Sequence, residues 1–168
     1  AEGSGAMAEN QYVKTIRLNS WQLEKIDNIL EKQRKQKNTS RTKTKGSTIK
    51  VKTINEELDF LRELETDRYQ DVNVLFDLYI KREDGAEEYY SLKTVKPNLD
   101  QTETAKKDML RLMTAEQNSE AFFALPYNPA GEGEIYKSAH AIPYKLFDMD
   151  NDNNVLIGKN LWDKIGAD

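Results

Sequence analysis

An aspartate at position 77, a small hydroxyl residue fourteen positions on at Ser91 and a lysine two beyond it at Lys93 form a spacing that could do chemistry. Asp77 stands in an otherwise apolar run, Val72–Ile80, where a carboxylate is costly unless something pairs with it. A carboxylate is also a hard oxygen ligand for Mg²⁺, which acts as a Lewis acid and lowers the pKa of bound water. An ammonium beside it can orient or help deprotonate that water, and can stabilise charge on a pentacovalent phosphorus. Together these parts suit phosphodiester hydrolysis. Aspartate and lysine are common, however, and spacing alone favours the plainer reading of a strand-edge ion pair.

The elements that must position these groups can be read from periodicity. In Val72–Ile80, Val72, Val74, Phe76, Leu78 and Ile80 should point one way, and Asn73, Leu75, Asp77 and Tyr79 the other. Asp84-Gly85 marks a turn, and Glu87–Thr94 returns as a second strand with Glu87, Tyr89, Ser91 and Lys93 on one face. Upstream, Asn19 or Ser20 can cap a helix with Leu23, Ile26, Ile29 and Leu30 as its apolar stripe. Thr53 with Glu56 is a capping box for a second helix. Downstream, Asp100 with Glu103 starts a third helix with Ala105, Met109, Leu112 and Met113 inward. Strands at Ala121–Leu125 and Val155–Ile157 and a closing helix at Asn160–Ile165 complete the order α, α, β, β, α, β, β, α. The expected fold class is α/β, a mixed sheet flanked by helices.

At 168 residues the chain is long enough for one ordinary domain. It has 38% apolar and 32% charged residues, and its mean hydropathy of −0.82 is polar for a globular protein, yet the apolar runs can build a core. No apolar stretch approaches the roughly 20 residues that span a bilayer. The lack of cysteine excludes disulfides, thiolate zinc sites and a thiol nucleophile. His140 is the single histidine, so one chain cannot build a multi-histidine metal site. Ala1–Ala6 reads as a cloning scar before a plausible start at Met7, so residues 1–10 are set aside as a disordered start and 11–168 taken as one domain. No signal peptide is visible, which makes a bacterial-type cytoplasm the default.

Charge is uneven. Nine Lys/Arg and no acid lie between Lys32 and Lys52, and subtracting them from the net −4 leaves −13 for the remainder. This segment, with Lys43 and Lys45 near its middle, reads either as a flexible arm that meets a polyanion through phosphates or as a solvated linker. The acidic remainder suits a protein that holds carboxylates for a metal.

Larger stretches resemble a known family. Asp77–Ile80, Tyr89–Thr102 with its Lys96-Pro97-Asn98 and Asp100-Gln101 runs, Phe122–Pro129 with Leu-Pro-Tyr-Asn-Pro, Phe147-Asp148-Met149, Leu156-Ile157-Gly158 and Trp162-Asp163 are similar to the TdeIII family of type II restriction endonucleases. That family belongs to the PD-(D/E)XK nuclease superfamily. The resemblance implies a restriction-endonuclease-like core, Mg²⁺-dependent cleavage of double-stranded DNA at a short specific sequence, and a homodimer at a palindromic site. It makes Asp77, Ser91 and Lys93 the catalytic positions and assigns the metal to Asp77, the Leu92 carbonyl and a second acid. Lys96, Asn98 and Gln101 would shape the site or touch the scissile phosphate. The chain departs from the family in two ways: it has a shorter N-terminal region, and it has Ser91 where an acid is expected. Three explanations of Ser91 are open: inactivation, leaving a DNA binder that cannot cut; an acid supplied by the next helix, from Glu103 in its first turn or Asp108 one turn later; or Glu87 or Glu88 reaching along the strand, about 13 Å for Glu87.

Other candidates read more plainly. Asp148, Asp150 and Asp152 resemble the start of a calcium loop but lack its glycine and final acid, so a polar turn is expected. Lys106, Lys107 and Arg111 share a polar helix side that either meets phosphates or is simply solvated. His140 has no acid nearby in sequence and reads as a surface or satisfied histidine.

Overall fold

The computed structural model describes residues 6–36 and 51–166. Its first element is a strand that the sequence does not announce, β1 (Met7–Asn19), which starts within the stretch set aside as disordered. Tyr12, Ile16 and Leu18 pack toward the main core, but the inward position between them is Lys14, which breaks the apolar alternation. Its side chain lies along the sheet, with the ammonium 5.7 Å from the Tyr89 ring centroid, 3.2 Å from the Tyr89 hydroxyl and 3.7 Å from Glu116. A lysine can take such a position because its stem is apolar and only its tip needs polar partners.

β1 pairs antiparallel with β2 (Tyr69–Lys81), and β2 with β3 (Glu87–Leu92). The β2–β3 turn has Gly85 at φ 91°, a left-handed conformation that glycine adopts without steric cost. β3 then runs parallel to β4 (Ser119–Leu125), and β4 to β5 (Val155–Ile157), giving a five-stranded mixed sheet in sequence order.

Helices α1 (Ser20–Lys35), α2 (Ile54–Arg62) and α3 (Leu99–Ala115) bury Ile26, Leu30, Ile54, Leu58, Leu61, Met109, Leu112 and Met113 against one sheet face. The other face carries a smaller cluster, Ile80, Tyr90, Phe122 and Ala124, closed by Leu161 of α4 (Lys159–Ile165). Capping boxes start α1 (Asn19 with Gln22) and α2 (Thr53 with Glu56). The third is at Asn98 with Gln101, one short step before the Asp100–Glu103 start that spacing suggests. Among the described residues no helix is long and apolar enough to cross a membrane.

The expected alternation of β2 fails at one point. Val74 and Phe76 belong to the main core and so does Tyr79, whereas Leu78 and Ile80 join the cluster on the opposite face. The facing strand switches at the same place, with Ala6 and Ala8 in the smaller cluster and Tyr12 in the main core. The ladder passes from Asn10↔Leu78 directly to Tyr12↔Phe76, leaving Gln11 and Asp77 unpaired, and Gln11 has φ 50°. Left-handed backbone at a non-glycine residue costs free energy and persists only where its surroundings hold it. Here the two cores hold it, and Asp77 lies opposite.

Candidate active site

Asp77 sits where β2 changes faces, just beyond the Leu78↔Tyr90 pairing that ends the β2–β3 ladder. Its Oδ2 accepts the Leu92 backbone N–H at 2.8 Å, which fixes the carboxylate against the end of β3. The next residue turns to the other neighbour: Lys93 N–H donates to the Ala124 carbonyl at 3.0 Å. The Lys93 ammonium lies 3.7 Å from Asp77 Oδ2, with the two side chains 24% and 29% exposed. The pair is thus on one side of the sheet and open to an incoming group. Ser91, from the same strand, is buried at 3% exposure.

The acids available to complement Asp77 differ in what already occupies them. Glu87 accepts from the Tyr79 hydroxyl at 2.7 Å, and Glu88 from Arg82 and the Tyr90 hydroxyl, both at the far end of β3. Glu103 faces α1, where its carboxylate and that of Asp100 pair with Arg34 at 2.5 and 2.6 Å. Asp108 is five residues further along α3, about 140° around the helix from Glu103. It accepts a backbone hydrogen bond from Leu75, two residues before Asp77, and feels the charge of Lys93. Burial pushes its carboxyl up to about 6 against the pull of Leu75, Arg111, Lys107 and Lys93. Among the described residues no three acids or histidines group as a metal cluster; Asp77 pairs with Lys93, and Asp108 feels the charge of the same lysine. The carboxylates of Asp77 and of the partly desolvated Asp108 are hard oxygen donors of the kind a magnesium-like ion takes.

The raised Asp108 carboxyl has a consequence for stability. An acid with a folded pKa above its unfolded one favours folding at low pH, and that contribution is lost as pH rises from the ordinary carboxylate range through about 6. Asp108→Asn should therefore raise the metal-free melting temperature relative to the parent at pH 8 and change it much less at pH 4. Thermal melts at the two pH values check this, and equal differences would contradict it.

The remaining candidates divide. Lys96 is exposed on the segment after Lys93. Asn98 and Gln101 spend their side chains on the α3 capping box: Asn98 Oδ1 accepts Gln101 N–H at 2.8 Å and Gln101 Oε1 accepts Asn98 N–H at 3.0 Å. Lys43 and Lys45 lie outside the described residues. Lys106 belongs to neither surface reading, being fully buried, 2.9 Å from Glu57 and bonded to Gln33 and the Leu146 carbonyl. Lys107 pairs with Asp27 at 3.3 Å. The aspartate-rich turn is structural: Asp148 accepts from Asn151, and buried Asp152 accepts Ile54 N–H at 2.8 Å, capping α2 from 98 positions away.

A family model described as type II restriction endonuclease, HinfI, matches residues 1–168. Among curated proteins, the type II restriction enzymes HgiEI and HgiBI of Herpetosiphon aurantiacus are 38% and 37% identical to the chain over 95 residues, and HgiCII of the same organism is 36% identical over 94. Each match covers 54% of the chain and 33% of the relative, so the matched stretch spans about a third of the length of these proteins. No solved structure matches.

Proposed function

The chain belongs to the HinfI family of type II restriction endonucleases, and from that premise we propose that it hydrolyses phosphodiester bonds of double-stranded DNA at a short specific sequence, with Mg²⁺. The observation that carries this reading is the Asp77–Lys93 pair, 3.7 Å apart where β2 changes faces beside the end of β3. Mg²⁺, when bound, would supply Lewis-acid activation of water and phosphate, and Asp77 with Asp108 would hold it, Asp108 taking the place of the acid absent at Ser91. Lys93 would orient the attacking water and offset charge building on the phosphate oxygens. The Leu92 N–H keeps the Asp77 carboxylate from rotating away. Lys96, exposed three residues after Lys93, would meet the DNA backbone. Assembly as a homodimer on a palindromic site, and the finer kinship with TdeIII, belong to the same proposal. Phage or plasmid DNA incubated with the protein and Mg²⁺ should yield discrete fragments. Undigested DNA across a range of substrates would reject the reading.

A second reading, a DNA binder with a disabled centre, is favoured by the buried neutral hydroxyl of Ser91 at the expected acid position. Cleavage by Ser91→Glu but not by the chain itself would select it.

A further inference from the structure

The segment from Lys93 to α3 has very little of its own to hold it. After the Lys93 N–H→Ala124 bond, no backbone–backbone hydrogen bond ties Thr94–Pro97 among the described residues, and the next fixed point is the Asn98 capping box. Two side chains from the long connection between β4 and β5 fill the gap. The Tyr136 hydroxyl donates to the Val95 carbonyl at 2.6 Å, and His140 Nε2 lies 2.7 Å from the Pro97 carbonyl. A carbonyl only accepts, so Nε2 is the protonated ring nitrogen. The Tyr136 ring is 2% exposed within the main core and meets the His140 ring edge-on, with centroids 6.2 Å apart at 86°. One residue is thus anchored in the core, the other is braced on it, and they hold alternate carbonyls of the strip that carries Lys96 and joins Lys93 to Asp108.

We propose that Tyr136 and His140 are positioning residues for DNA cleavage, a two-point clasp that fixes the backbone course between Lys93 and α3. The proposal rests on the nuclease reading above. A displacement of about 1 Å in a reacting group can cost roughly 10²-fold in rate, so losing either carbonyl contact should act on the rate at saturating DNA, with the half-saturating DNA concentration little changed.

The test compares the full chain with Tyr136→Phe, His140→Ala and His140→Gln, using cleavage of plasmid DNA with Mg²⁺ together with the rate of tryptic cutting at the Lys93–Thr94 bond, read by mass spectrometry. Tyr136→Phe keeps the buried ring and removes only the hydroxyl, and the glutamine amide can replace the imidazole Nε2–H. Expected are faster tryptic cutting at Lys93–Thr94 and a DNA cleavage rate at least about tenfold lower in Tyr136→Phe and His140→Ala, with both restored toward the parent in His140→Gln. Parent-like tryptic cutting in both loosened variants, or faster cutting with an unchanged DNA cleavage rate, would overturn the clasp. If the parent itself does not cut, the nuclease reading falls, and the cleavage role of the clasp falls with it. A parent that cuts alongside equally active variants removes the clasp alone.

Discussion

Asp77→Ala and Lys93→Ala should each lower DNA cleavage by about 10³-fold or more while leaving the melting temperature within a few degrees of the parent. The large effect is expected because, on the proposed function, each variant removes a charge from where charge develops during phosphoryl transfer, and such groups contribute roughly 10²–10³ or more when preorganised. The small stability effect follows from exposure: a partly solvated Asp–Lys pair at 3.7 Å contributes about 0–1 kcal/mol to folding. The Leu92 N–H freed in Asp77→Ala lies next to solvent and can bond water, since Leu92 is itself exposed. Asp77→Asn separates the two roles of the side chain, keeping an acceptor for Leu92 while losing the charge, and should be as inactive as alanine. Parent-like cutting by any of the three would remove the active-site assignment.

Lys106→Met should have the largest effect on stability, about 3–5 kcal/mol, the typical cost of removing one partner from a buried ion pair. Lys106 has no exposure, and its ammonium is enclosed by Glu57, Gln33, the Leu146 carbonyl and the face of Phe147. Burial works against both charges, lowering the Lys106 pKa and raising that of Glu57, so each depends on the other. Without Lys106, Glu57 keeps, among the described residues, only the Gln33 amide at 3.1 Å, and the Leu146 carbonyl loses the Lys106 donor. Adding Glu57→Gln to Lys106→Met should recover part of the loss by removing the uncompensated charge. Urea melts of the two single variants and the double variant measure the coupling, and strictly additive effects would show that the pair is not a unit.

These residues show what could be read ahead of the structure. The hairpin carrying Asp77 and Lys93 was legible because period-two runs flank a turn signal, and the α2 capping box was legible because its partners are three residues apart. Long-range partnerships left no such local trace. Lys106 looks like a surface lysine until Glu57 and Gln33 arrive from two other helices. Helical spacing puts Glu103 and Asp108 on different sides of α3, but only Arg34 of α1 shows which side turns from the sheet. β1 was hidden because Lys14 occupies an inward position that periodicity reserves for an apolar residue. Lys43 and Lys45 fall outside the described residues.

The crossover at Gln11 and Asp77 makes strand length more stringent than strand composition. Tyr12, Ile16, Leu18, Val74 and Phe76 on one side of it feed the main interior with the same parity that sends Ala6, Ala8, Leu78 and Ile80 on the other side to the smaller one, and this junction keeps both in phase. A conservative exchange at a single inward site disturbs one compartment locally. Losing or gaining one residue on either side of the junction would turn a whole row of side chains inside out and rotate the carboxylate away from its lysine. Natural variants of this protein should therefore tolerate many substitutions in these two strands and almost no change in their residue count.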